Sequence, residues 1–147
     1  MKFDLIPVED LHAHWSYVRS GLERIIEQSP AVWIPEDIYA HLRFKAAVLY
    51  LASDDDGKRR GFVVTEVKRL PHSGEMTLHI WALYAEPVRG DHFADVKQFL
   101  NEGLEFFDAC ARHVKATKIT QDGRWGWTRF LGEAFTPVLV RYERRVA

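Results

Sequence analysis

The chain has 147 residues, 47% apolar, 13% aromatic and 28% charged, a composition that suits one globular core and excludes a disordered, collagen-like or disulfide-stapled chain. Twenty Lys and Arg against 21 Asp and Glu leave a net charge of -1, which argues against nucleic acid as the main partner and equally against an anionic membrane. The one cysteine, Cys110, has no partner for an internal disulfide, and no stretch reaches the ~20 apolar residues of a membrane span or shows the profile of a secretory signal, so a single domain over 1–147 in a cytoplasmic setting is expected.

Leu11, Trp15, Val18, Leu22, Ile25 and Ile26 recur at helical spacing behind the acidic pair Glu9 and Asp10, and the spacing predicts a first helix from about Asp10 to Gln28. Pro35 with Glu36 and Asp37, followed by Ile38 and Leu42, marks a second helix ending near Phe44. Three strand-like runs follow, Ala46 to Ala52, Gly61 to Leu70 and Met76 to Ala85, separated by the acidic turn Ser53–Gly61 and by Pro71–Gly74. They read as an antiparallel meander. Strict alternation in the third run puts Met76, Leu78, Ile80, Ala82 and Tyr84 on one face and Thr77, His79, Trp81, Leu83 and Ala85 on the other. Both faces are largely apolar, so this strand is expected to be central and covered on both sides. Phe93, Val96, Phe99, Leu100, Leu104, Phe107, Ala111 and Val114 define a long amphipathic helix from about Asp91 to His113. A strand near Ala116 to Thr120, a helix near Gly123 to Glu133 and a strand Val138 to Arg145 complete the order ααβββαβαβ.

That order resembles the GCN5-related N-acetyltransferase (GNAT) superfamily over nearly the whole chain, which implies an α/β (α+β) fold with a central mixed sheet and helices on both faces. The stretch Lys118 to Phe135 is similar to that family's fifth strand, fourth helix and following strand. Within it, Gly123-Arg-Trp-Gly-Trp-Thr-Arg-Phe-Leu131 resembles small GNAT-like proteins of tailed bacteriophages. The family's defining loop holds the coenzyme A pyrophosphate on main-chain N–H groups at a helix N-terminus. The resemblance places that loop at Arg89 to Ala94. Arg89 and Ala94 suit it, but His92 stands where the motif has its central glycine and Asp91 adds a negative charge. Where the family often has a tyrosine acting as general acid, this chain has Phe130, which has no proton to give. The resemblance also implies a general base on or near the central strand, for which His79 and Glu86 are the candidates.

Other constellations have ordinary readings beside the chemical ones. His12 and His14 are two apart on a helix and face different directions, so no metal site is expected. Cys110 and His113 can touch, yet Cys110 falls within the apolar stripe and reads as a small hydrophobe. His79 also reads as a satisfied core histidine, and Glu86 as a solvated acid before Pro87. Trp127, three before Phe130 and four before Leu131, reads as core. Arg124 and Trp125 are left as the better contact pair, and Arg141, Arg144 and Arg145 as guards of an edge strand.

The reading drawn from these residues is a phage-type GNAT-fold protein with a degenerate coenzyme A site and no cofactor. It acts through protein contacts, phage virion proteins or further copies of itself among them, in virion structure or assembly. The alternative is an acyl-CoA-dependent N-acetyltransferase acting on a small amine or a protein amine, with acetyl-CoA held at Arg89, Gly90, His92 and Ala94.

Overall fold

A computed structural model describes residues 1–28, 31–122, 134–138 and 144–146. Among the described residues its centre is a five-stranded sheet in the order β1-β2-β3-β4-β5, formed by β1 (Lys2–Ile6), β2 (Val48–Ser53), β3 (Arg59–Arg69), β4 (Met76–Ala85) and β5 (Lys118–Gln121). The first four strands run antiparallel to their neighbours, and β5 pairs parallel with β4. Among the described residues three α-helices accompany them: α1 (Leu11–Gln28), entered through a 3-10 turn at Val8–Asp10, α2 (Pro35–Arg43) and α3 (His92–His113). The first, second and long helices that were expected, the meander and the mixed sheet are present. The helix expected at Gly123 to Glu133 lies outside the described residues, as does 139–143 of the last expected strand.

Local chemistry sets the helix ends. In α2 the Asp37 carboxylate reaches back to accept the Ile34 N–H at 3.0 Å, while His41 and Arg43 sit in the last turn against the negative end of the dipole. In α3 the N-cap Asp91 accepts the Phe93 N–H at 3.0 Å, and Arg112 and His113 close the other end. Such charges at each terminus typically contribute about 0.3–1 kcal/mol.

Two features depart from the expected pattern. Strand β1 was not foreseen: it is five residues long, carries Lys2 and Asp4, and leaves Leu5 56% exposed, so it has too little alternating apolar signal to stand out. Its pairing with β2, Lys2 opposite Ser53 through Ile6 opposite Leu49, extends the meander by one edge. The second departure is in β4, where Val64 pairs with Ala82 and the next residue, Thr65, with Ile80. Trp81 is therefore an extra residue, a β-bulge that switches faces. Ile80, Leu83 and Ala85 pack with α3, whereas Ala82 and Tyr84 pack with α1 and α2, and Trp81 leans on that same side. Strict alternation fails there because an apolar residue at every position gives no polar marker for the slip.

The core has two layers. Leu11, Val18, Leu22, Ile38, Leu49 and Phe62 fill the side beneath α1 and α2. Phe99, Leu100 and Phe107 of α3 pack over Val63, Ile80 and Leu83 on the other side, as the helical spacing predicted. Gly21 lets α1 come close to the sheet, since a Cβ there would lie 2.4 Å from a Phe62 ring carbon and 2.9 Å from Tyr84.

Leu100 is fully enclosed. Leu100→Ala should lower unfolding stability by about 2–5 kcal/mol through the cavity it leaves, measured by urea denaturation; a loss below about 0.5 kcal/mol would be a surface value.

Candidate functional site

The polar chemistry gathers at the C-terminal end of β4 and the loop that carries the chain into α3. Asp95, in the first turn of α3, is only 4% exposed. Its carboxylate accepts the Val88 N–H at 3.1 Å and the Arg89 N–H at 3.2 Å. Asp91 caps Phe93 on the same turn, and the Asp95 N–H donates to the Asp91 carbonyl at 3.0 Å. Between them Gly90 adopts φ +76°, with nothing within 4 Å of where a Cβ would lie, a turn that only glycine makes without strain. His92 opens the helix, half-buried, and Ala94, two residues on, is also half-buried.

Glu86 stands directly before this loop, and its N–H donates to the Arg60 carbonyl at 2.8 Å. The Tyr17 hydroxyl of α1 donates to its Oε1 at 2.9 Å, and the Tyr84 hydroxyl approaches Oε2 at 3.4 Å. Arg24 Nη1 in turn donates to the Tyr84 oxygen at 2.7 Å, and the Arg59 guanidinium lies 4.5 Å over the Tyr17 ring. Burial, reinforced by the neighbouring carboxylate, pushes both phenols above their ordinary values. They therefore stay protonated and hold Glu86 as an acceptor. A cleft of about 180 Å³ beside this network is lined by Arg24, Gln28, Tyr84, Gly90, His92 and Asp95.

His79 is not part of this cluster. It precedes Glu86 by seven residues of extended chain, roughly 20 Å at strand spacing, so the two expected bases do not converge on one substrate. His79 is 6% exposed, with Nδ1 2.9 Å from Thr120 Oγ1 of β5 and Nε2 3.7 Å from the Asp122 carboxylate. Burial holds its pKa below the ordinary 6.5; Lys68 adds to this, while Asp122 and Glu66 oppose it. β5 accompanies β4 only from Thr77 to Ile80. Among the described residues, β4 beyond the Trp81 bulge has β3 as its one partner strand.

On the far side of the sheet, beneath the C-terminal turns of α3, a groove of about 600 Å³ is lined by Tyr50, Leu78, Phe106, Cys110 and His113 among others. Burial raises the Cys110 thiol and pushes Tyr50 up to about 12, which makes the thiol a poor nucleophile near neutral pH. The ring of His12 lies 3.1 Å from the Glu9 carbonyl. Arg124 and Trp125, expected as contact residues, lie outside the described residues.

No family profile matches the chain, and no curated protein does. Solved structures match over the full length. A probable acetyltransferase is 15% identical with a TM-score of 0.64, covering 100% of this chain and 99% of that one. Ribosomal-protein-alanine N-acetyltransferase from Brucella melitensis biovar Abortus 2308 is 15% identical with a TM-score of 0.61, covering 96% and 98%. Glucosamine-6-phosphate N-acetyltransferase from Arabidopsis thaliana is 12% identical with a TM-score of 0.62, covering 99% and 98%. The chain has the GNAT fold. At these identities the likeness fixes the architecture and carries no activity across.

The GNAT fold implies coenzyme A, and the loop from Arg89 to Ala94 does not fit its pyrophosphate. By the resemblance, His92 stands where the family's loop has the glycine that close approach to phosphate requires. The N–H groups of Val88, Arg89 and Phe93 already donate to the carboxylates of Asp95 and Asp91. Asp91 was legible as an adverse charge in the sequence. Asp95 was not, because an acid in the first turn of a helix is an ordinary dipole partner, and only the fold of the loop shows what it holds. Tyr17, Arg24 and Tyr84 were missed for a similar reason: Tyr17 meets Glu86 across 69 residues and Arg24 meets Tyr84 across 60.

His79 supplies a pH test. Its folded pKa lies below the unfolded one, so the unfolded chain takes up the proton more readily, and the associated stability is complete above about pH 6.5 and is lost as pH falls below it. Urea unfolding between pH 7.5 and 5 should show a steeper decline for the wild type than for His79→Gln, and parallel curves would remove His79 as the cause.

Proposed function

We propose that this GNAT-fold protein does not use coenzyme A in the family's ordinary way and acts through contacts with other proteins. The observation that carries this reading is the carboxylate pair at the start of α3. Two like unit charges about 4 Å apart repel by roughly 4 kcal/mol at an effective dielectric near 20, and a pyrophosphate seated on this loop would meet Asp91 and Asp95 together. It would also have to displace charge-assisted hydrogen bonds of about 1.5–3 kcal/mol each. Against these costs the loop offers Arg89 and the dipole of α3, the latter typically contributing about 0.3–1 kcal/mol. A virion or assembly setting rests on the phage-type resemblance of Gly123 to Leu131 alone.

A second reading, an acyl-CoA-dependent N-acyltransferase, is favoured by Glu86. Held by two phenols at the end of β4, its carboxylate would serve as the base for an amine, with Tyr84 as its link to the cleft that Arg24 and Tyr84 line.

A melting experiment separates the two. Acetyl-CoA at about a hundredfold its dissociation constant would contribute about 2.7 kcal/mol, a shift of several degrees in a domain of this size. None is expected at millimolar acetyl-CoA, and a saturable shift abolished by Arg89→Glu would favour the transferase instead.

The contact reading makes its own prediction at Trp125. An aromatic anchor beside arginine is the usual form of an interface hot spot. Trp125→Ala should leave the melting temperature nearly unchanged while weakening self-association, followed by sedimentation equilibrium, by at least about 2 kcal/mol, close to thirtyfold. A mutant that unfolds yet associates as before would reverse the assignment.

A further inference from the structure

The main-chain donors at the β4–α3 turn are gripped in the way an oxyanion would grip them. Asp95 presents one carboxylate oxygen to the Val88 N–H and the other to the Arg89 N–H, at 3.1 and 3.2 Å. It does so while almost wholly buried, where a charged side chain is rarely found without partners. Two oxygens on two consecutive N–H groups, next to the positive end of a helix, is the arrangement such turns use for bound phosphate. We infer that the Asp95 carboxylate is a built-in substitute for an anion: the seat between β4 and α3 is filled from within and is kept, not lost. This rests on the reading that the protein leaves coenzyme A unbound, and adds to it the reason and the means of reversal. Gly90, at φ +76° with open space around it, still makes the turn, and Arg89 still stands in the loop. Neutralising Asp95 at nearly constant shape leaves the Val88 and Arg89 donors and the dipole without their negative partner, and an added oxyanion can then take its place.

Inorganic pyrophosphate is the probe, used with the wild type, Asp95→Asn and Asp95→Ser. In the wild type the Val88 and Arg89 amides should be protected from hydrogen exchange although both residues are exposed, and millimolar pyrophosphate should change neither that protection nor the melting temperature. In the variants the protection should fall, return with pyrophosphate, and bring a saturable rise in melting temperature of about 2–4 °C. Folded variants blind to pyrophosphate overturn the inference, and so do wild-type Val88 and Arg89 amides that exchange as in an unstructured peptide, a measurement that stands even if neither variant folds. A wild-type response to acetyl-CoA would instead overturn the functional reading on which the inference rests, so the two failures are distinguishable.

Discussion

Strand β4 has to present apolar side chains to helices on both of its faces at once, since α1 and α2 lie on one side and α3 on the other. A regular strand meets that demand with alternate residues, yet here the alternation shifts by one at Trp81. The shift puts the Trp81 indole on the α2 side, its ring centroid 6.4 Å from Trp33 and 4.9 Å from His41, and returns Leu83 and Ala85 to α3. The face of every residue after Trp81 follows from that one insertion, including Tyr84, which reaches Arg24 because it points toward α1. The parallel partner β5 accompanies β4 only as far as Ile80, so the bulge and the end of that pairing coincide.

The end of β4 joins two networks with opposite characters. Glu86 accepts from phenols that burial keeps protonated. Asp95, on the next element, accepts from the main chain and closes the loop on itself. The first reaches a cleft through Tyr84, and the second occupies the Val88 and Arg89 donors from within. On the proposed reading, the GNAT architecture is retained while the turn into α3 satisfies its N–H donors from within, through the Asp95 carboxylate.

Much of the fold was legible in the sequence where a single period ran long enough. The apolar stripe from Phe93 to Val114 gave α3 almost to the residue, and Pro35 with its acidic neighbours marked the start of α2. β1 was not legible, because five residues with two charges carry no sustained period, and its pairing with β2 is a tertiary fact. The bulge at Trp81 was hidden by uniform apolarity. In the site, Arg89, Gly90, His92 and Asp91 could be read from a local string, while the roles of Asp95, Tyr17, Tyr84 and Arg24 depend on contacts that no local string encodes. His79 and Glu86 looked interchangeable as letters on one strand, and the length of that strand separates them.

Gly21 sits on the same stripe of α1 as Tyr17, four residues before it, and Arg24, three after. The missing side chain lets the helix rest on Phe62 and Tyr84, and that depth lets the polar groups to either side reach Glu86 and the Tyr84 hydroxyl. The gap between helix and sheet therefore works like a shim of zero thickness. Any methyl inserted there would raise α1 from the sheet and loosen the Glu86 network without altering a single charged or hydrogen-bonding group. The electrostatics at the end of β4 are, in this sense, governed by volume at a position that carries no chemistry of its own.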